Sequence, residues 1–177
     1  MPLHRRKPYD QEALYEYAVG ALARKMRSVA ELKRLLRRRL PGGDESEAMV
    51  EAVVGRLKDQ KYLDDSAYAA AYSSCRRENE KFGRLRVITD LKARGVHGDL
   101  ITGAVSAAYA RTDEEKLARE YLRRKRVKKP ADAHGAARIY RSLLRAGYTS
   151  RTILRILKQW DVGDEVLTAL ESETWPP

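Results

Sequence analysis

The sequence predicts an all-α protein of three tandem three-helix repeats that form an elongated, curved, right-handed helical solenoid. Apolar residues recur at intervals of three and four almost throughout, and alternation with period two is nowhere sustained. One spacing of apolar residues also occurs three times along the chain. A repeat of about 50 residues is small for an independent core, so we expect neighbouring repeats to pack end to end.

The helix predicted from Ser28 shows the repeated pattern in its first copy. Leu32 and Leu36 lie on one stripe, and Ser28 with Glu31 forms a capping box at the helix start. Pro41 and two glycines follow the helix and end it. The positions equivalent to Ser28, Leu32 and Leu36 are Gly83, Val87 and Leu91 in the second copy, and Gly135, Ile139 and Leu143 in the third.

A further amphipathic helix precedes each of these helices, and another follows it, which makes three helices per repeat. The acidic segment after residue 160 is compatible with one more short helix. The predicted organisation is an N-terminal tail over 1–9, repeats over 10–63, 64–112 and 113–171, and a C-terminal tail over 172–177.

Local signals predict how the second repeat begins. Asp64 and Asp65 suit a helix start, where carboxylates accept hydrogen bonds from free backbone N–H groups. Tyr62 and Leu63, just before them, are expected to pack at the junction between repeats. Cys75 follows the apolar pattern of its helix and is expected to be buried.

Gly95 and Gly147 each follow a predicted helix. Glycine at this position favours a left-handed cap, which lets the chain turn into the next helix. Both glycines are therefore predicted to have structural roles.

Composition limits the classes of function. Lys and Arg number 36 against 25 Asp and Glu, a net charge of +11 that suits a polyanionic partner. Composition alone suits a solvated surface equally well, so the arrangement of the charges must decide between the two. No apolar run approaches the roughly 18 residues that cross a bilayer, and residues 1–10 are too polar for a signal peptide, so we expect a cytoplasmic protein without membrane contact. The single cysteine cannot form an internal disulfide, and the three histidines are too scattered for a metal site.

Basic residues form the candidate binding site: they lie in rows opposite or beside the apolar stripes in the first and third repeats and are less regularly placed in the second. Rows of like charge destabilise a helix unless a partner compensates them, and arginine suits phosphate and carboxylate groups. Aromatic residues are not interleaved with these rows, so contact with a nucleic-acid backbone or an acidic protein surface is expected, not base stacking. The candidates are Arg34, Arg37, Arg38, Arg84, Arg86, Arg94, Arg138, Arg141, Arg145, Arg151, Arg155 and Lys158.

Catalytic patterns are absent from the sequence. It contains no Gly-rich phosphate loop, nucleophile elbow, metalloprotease motif or pair of suitably spaced carboxylates. We therefore predict a protein that is not an enzyme and that needs no cofactor or metal.

Three stretches carry a resemblance to a known family. SVAELKRLL at 28–36, VGRLKDQKYLDD at 54–65 and KFGR at 81–84 with LKARGV at 91–96 resemble the repeats of the RecX family. The family usually has glycine where this chain has Lys61, and the third repeat matches only weakly. The resemblance spans about residues 13–160.

The resemblance implies a regulatory partner protein. It implies binding to the RecA–DNA filament and inhibition of recombinase, ATPase and coprotease activities, in the regulation of DNA repair, recombination and the SOS response. Single- and double-stranded DNA would be bound weakly or through the filament, and we expect the chain to be a monomer. The alternatives are a stand-alone helical DNA-binding protein or transcription regulator, and an inert helical scaffold.

Overall fold

The computed structural model describes residues 10–172, and among these residues every regular element is a helix, so the predicted all-α class is confirmed. A π-helical turn, Arg76–Glu80, continues the fourth helix. No helix within the described range is long and apolar enough to cross a membrane. The helices are α1 (Gln11–Arg24), α2 (Val29–Arg37), α3 (Asp44–Asp59), α4 (Asp65–Cys75), α5 (Arg84–Ala93), α6 (Gly98–Tyr109), α7 (Glu114–Arg124), α8 (Ala133–Arg145), α9 (Ser150–Gln159) and α10 (Asp164–Ser172).

The chain divides into two compact units. One holds the described residues up to Ala69 together with Leu91–Leu100, and the other holds Ala70–Asp90 with the described residues from Ile101 onward. These units do not coincide with the predicted repeat ranges, which stay a prediction, and the range predicted for the third repeat contains a fourth helix, α10. The two predicted tails lie outside the described residues, apart from Ser172.

The first unit buries the apolar stripes of α1, α2 and α3 against one another. Their spacing of three and four residues places each stripe on one helix face, and removal of that surface from water stabilises the unit. This core consists of Leu14, Ala18, Leu32, Leu36, Val50, Val53, Val54, Leu57 and Leu63.

The second unit has a larger core, built from α7 to α10 and the segment between α8 and α9. Tyr148 in that segment is fully buried, and its ring meets that of Tyr121 edge to face at 6.1 Å between centroids. Leu143, Ile153, Ile156 and Leu157 are also fully buried around it. The second core therefore surrounds a buried aromatic pair.

The predicted helix starts are confirmed. The Ser28 hydroxyl accepts from the Glu31 N–H at 3.1 Å, and the Glu31 carboxylate accepts from the Ser28 N–H at 3.1 Å. Before α4, Asp64 Oδ1 accepts from the N–H groups of Ser66 and Ala67 at 2.8 and 3.1 Å. These side chains satisfy backbone donors that have no partner inside the helix.

Five helices end in the same way, with a left-handed residue that allows two terminal N–H groups to bond back to the helix. The donors bond to the carbonyls five and three residues earlier, which is the Schellman arrangement. Gly95 and Gly147 have φ of 75° and 91°, as predicted. The left-handed residues are Lys61, Gly95, Arg126, Gly147 and Asp161, and each is followed by valine or tyrosine.

Lys61 occupies the left-handed position after α3 with φ of 62°, at the position where the resemblance predicts glycine. A residue with a side chain costs roughly 1–2 kcal/mol in this conformation, whereas glycine adopts it freely. Glycine also raises the conformational entropy of the unfolded chain, which offsets part of that gain. We therefore expect Lys61→Gly to raise the free energy of unfolding by up to about 1 kcal/mol, measured by urea denaturation. Lys58→Gly, inside α3, is the control and should lower it by about 1 kcal/mol. A loss of stability in both variants would contradict the assignment of strain at Lys61.

Two expectations for side chains are wrong. Cys75 is exposed: the buried residues of α4 are Tyr68, Ala69 and Ser73, and Cys75 is the last residue of the helix, at the edge of this buried face. Of the two residues expected to pack before α4, Leu63 is buried but Tyr62 is 61% exposed.

Candidate functional site

In the first unit, the start of α2 meets the end of α5. Ser28 Oγ donates to the Arg94 carbonyl at 2.6 Å, and Asp65 Oδ1 accepts from the Val29 N–H at 2.8 Å. Gly95 lies so close that an added Cβ would be 2.5 Å from the Cβ of Ala30. This contact, the first junction, needs glycine for its close approach as well as for its positive φ.

In the second unit, the start of α5 meets the end of α8 in an equivalent way. The Gly83 and Leu85 N–H groups donate to the Ala146 and Gly147 carbonyls at 2.8 and 3.2 Å. An added Cβ on Gly147 would lie 2.5 Å from the Cβ of Arg86 and 2.8 Å from the Gly83 carbonyl oxygen. In this second junction, the end of one helix satisfies the free donors at the start of another.

Two tyrosines, the buried Tyr148 and the half-buried Tyr109, hold the turn that leads into α5. Tyr148 Oη donates to the Lys81 carbonyl, and Tyr109 Oη donates to the Phe82 carbonyl at 2.7 Å. The Lys81 ammonium also pairs with Glu120 at 3.0 Å. Burial raises the pKa of Tyr109 to about 12 and raises that of Tyr148 above its usual value, so both phenols remain donors at neutral pH. The second junction is therefore fixed from several sides.

The structure divides the predicted binding residues, apart from Arg141, into two groups. In the first group, the side chains are exposed and have no hydrogen-bond or ion-pair partner among residues 10–172. This unpaired group consists of Arg34, Arg38, Arg84, Arg138, Arg145 and Arg151.

The second group is occupied by carboxylates, mostly from other helices. Arg37 Nε donates to Glu47 at 2.8 Å, and this hydrogen bond lowers the pKa of Glu47. Few acidic residues lie within the basic rows in the sequence. The fold brings carboxylates from α2, α3, α7 and α10 to these rows. The other pairs are Arg86–Asp90 at 2.9 Å, Arg94–Glu31 at 3.9 Å, Arg155–Glu115 at 3.5 Å and Lys158–Asp164 at 3.6 Å.

Arg141 and Arg94 are half-buried, so they offer less surface to a partner than the rest of the set. Exposed ion pairs contribute about 0–1 kcal/mol to stability, so the paired cations can exchange partners. Each of them must nevertheless release its carboxylate before it binds another anion. The unpaired arginines are consequently the stronger candidates for contact with a polyanion.

Sequence analysis missed one exposed apolar side chain beside the basic residues. Leu85, the second residue of α5, is 47% exposed at the second junction. Leu85 stands two residues before the buried Val87 and six before the buried Leu91, so helix geometry places it on the opposite face of α5, and this spacing could have identified it from the sequence.

An open cavity of about 270 Å³ lies beside the start of α7. Its lining carries both signs of charge, including Arg77, Lys81, Asp113 and Glu120. Within the described part of the chain, no three His, Cys, Asp or Glu side chains are grouped to hold a metal ion. The mixed lining favours neither an anion nor a cation.

Comparison with known proteins shows relatives along most of the chain. Residues 64–105 match the family model for the second three-helix domain of RecX. "Regulatory protein RecX" of Leptothrix cholodnii is 36% identical over 151 residues, which cover 85% of this chain and 91% of that protein. The protein of the same name from Halalkalibacterium halodurans is 29% identical, and there 94% of this chain covers only 60% of the relative.

Two solved structures share the fold. RecX from Lactobacillus salivarius superposes with a TM-score of 0.65 at 19% identity, covering 85% of this chain and 96% of that one. Another regulatory protein RecX gives a TM-score of 0.69 at 20% identity, covering 84% and 73%. The resemblance found in the motifs is thus confirmed in sequence and in fold, and the chain belongs to the RecX family of regulatory proteins.

Proposed function

We propose that this protein binds the RecA–DNA filament and lowers its recombinase, ATPase and coprotease activities. Membership of the RecX family supports a regulatory role. The observation that carries the binding step is the unpaired group of exposed arginines. The protein would act as a cytoplasmic monomer without catalysis of its own, and it would meet DNA weakly or through the filament.

The unpaired arginines can contact an anion without breaking an internal ion pair. A guanidinium donates two parallel hydrogen bonds to a carboxylate or a phosphate, so both RecA surface and DNA backbone are suitable partners. Arg37 and Arg155, in contrast, would have to leave Glu47 and Glu115. We therefore place the filament contact on Arg34, Arg38, Arg84, Arg138, Arg145 and Arg151.

The repeat suits a partner made of identical subunits. Arg34 and Arg38 of α2 occupy the same positions, relative to the apolar stripe, as Arg141 and Arg145 of α8. The chain therefore carries one basic pattern twice, and a filament carries its binding surface many times. Linked contacts of this kind bind more tightly than either contact alone.

The direct test is the DNA-dependent ATPase of RecA, measured while the purified chain is titrated into preformed filaments. We expect inhibition when the chain is well below the concentration of RecA, because one regulator contacts a polymer and not a single subunit. The control adds excess free single-stranded DNA. If the added DNA abolishes inhibition, the chain acts by binding DNA alone, and the stand-alone DNA-binding alternative replaces this proposal.

A further inference from the structure

The second junction exposes an apolar side chain, and two available cations belong to the same junction. Leu85 is 47% exposed, and the side chain of its neighbour Arg84 is exposed and unpaired. Arg145 belongs to the same junction, since its carbonyl accepts from Arg86 Nη1 at 3.3 Å, and its side chain is also exposed and unpaired. The second junction thus presents one large apolar group and two available guanidinium groups.

The fold does not need leucine at this position. The equivalent residue of the first junction is Ala30, which packs beside Gly95. In the second junction, the atoms nearest an added Cβ on Gly147 belong to Arg86 and Gly83 and not to Leu85. Alanine at position 85 would therefore support that contact as well. The additional three carbon atoms of Leu85 are therefore available for a contact outside the chain.

The backbone beneath Leu85 is held in place. Its own N–H donates to the Gly147 carbonyl at 3.2 Å, and the preceding turn is held by the hydroxyls of Tyr109 and Tyr148. Arg86 is held by Asp90 at 2.9 Å. A side chain presented on a fixed backbone loses little conformational entropy on binding, which favours a small but specific contact.

The chemistry of the junction favours a protein partner over nucleic acid. A phosphate backbone would satisfy Arg84 and Arg145 but would leave Leu85 against polar sugar and phosphate groups. A protein segment with an apolar residue beside carboxylates would satisfy both the guanidinium groups and the leucine. The complementary surface is therefore acidic at its edges and apolar at its centre.

We propose that Leu85, with Arg84 and Arg145, docks an acidic protein segment that has an apolar residue at its centre. The inference deepens the proposed function, because it rests on a protein of the filament as the partner and assigns this part of the basic surface to protein and not to DNA. The docking point lies wholly within the second unit.

The first test compares Leu85→Ala with Met26→Ala. Met26 is the matched control, since it is 54% exposed and has basic neighbours, but lies in the segment between α1 and α2. Circular dichroism should show unchanged helicity in both variants. We expect Leu85→Ala to weaken binding to RecA filaments about tenfold, as loss of a buried leucine contact predicts, without weakening binding to an oligo(dT) strand. Equal filament binding by Leu85→Ala and wild type, equal losses in both variants, or a parallel loss of oligo(dT) binding would overturn the proposal.

A second test does not depend on RecA. Amide NMR spectra of the ¹⁵N-labelled chain are recorded with a glutamate-rich peptide that has leucine at every third or fourth position, and with the same peptide carrying serine for leucine. In wild type, the leucine peptide should shift the Leu85 and Arg86 resonances more than the serine peptide does, because only the leucine peptide can contact Leu85. In Leu85→Ala, the two peptides should shift the Arg86 resonance equally. If the chain fails to bind RecA but the leucine peptide gives these shifts, only the proposed function is wrong. If both peptides act alike, or neither acts, the docking point is wrong.

Discussion

Replacement of Gly147 by alanine should lower the free energy of unfolding by about 2–5 kcal/mol, as the sum of overpacking and left-handed strain. The new Cβ would lie 2.5 Å from the Cβ of Arg86 and 2.8 Å from the Gly83 carbonyl oxygen, and φ at this residue is 91°. Backbone atoms from α5 form part of this contact, so a side-chain rotation cannot relieve it. The hydrogen bonds from Gly83 and Leu85 to the end of α8 would have to lengthen.

Urea denaturation monitored by circular dichroism measures the effect through the transition midpoint. Gly103→Ala is the control, since Gly103 lies within α6 and an added Cβ would meet nothing within 4 Å. That variant should gain about 0.5–1 kcal/mol from the higher helix propensity of alanine. A Gly147→Ala variant as stable as wild type would show that the two helices are not in this close contact.

The double variant Arg34→Ala with Arg38→Ala should require at least about tenfold more protein to inhibit the RecA ATPase, because each hydrogen bond with a charged group contributes roughly 1.5–3 kcal/mol. Both side chains are exposed and lie opposite the buried Leu32–Leu36 stripe. Alanine is the best helix former, so helicity and unfolding midpoint should be retained. Arg37→Ala is the matched control on the same helix. Its guanidinium already binds Glu47, so we expect a smaller loss.

The salt dependence of DNA binding separates the two possible targets of this pair. If Arg34 and Arg38 contact single-stranded DNA, the slope of log affinity against log salt should fall in magnitude by about 0.7 for each lost contact. If they contact RecA, DNA binding by the isolated chain should not change while inhibition weakens. A double variant that inhibits at wild-type concentrations would show that this part of α2 is only solvated. The same experiment on Arg138 and Arg145 would then test the second unit.

The helices, their starts and several of their ends could be predicted from sequence. The stripe of Leu32 and Leu36, the Ser28–Glu31 capping box and the left-handed Gly95 and Gly147 all appear as expected. Each depends on residues within a few positions of one another, where helix geometry alone determines which groups meet. The RecX motifs also lie in such local stretches, and the family could therefore be identified from them.

Tertiary structure alone decided which parts of the basic surface are available. Arg37 and Glu47 lie on different helices, and Arg155 meets Glu115 from α7, so the pairing of these charges depends on helix packing. The contact of the Leu85 backbone with the end of α8 likewise joins residues that are distant in sequence. Periodicity shows which face of a helix is polar. It does not show which side chains another helix brings to that face, because this depends on contacts between residues far apart in the chain.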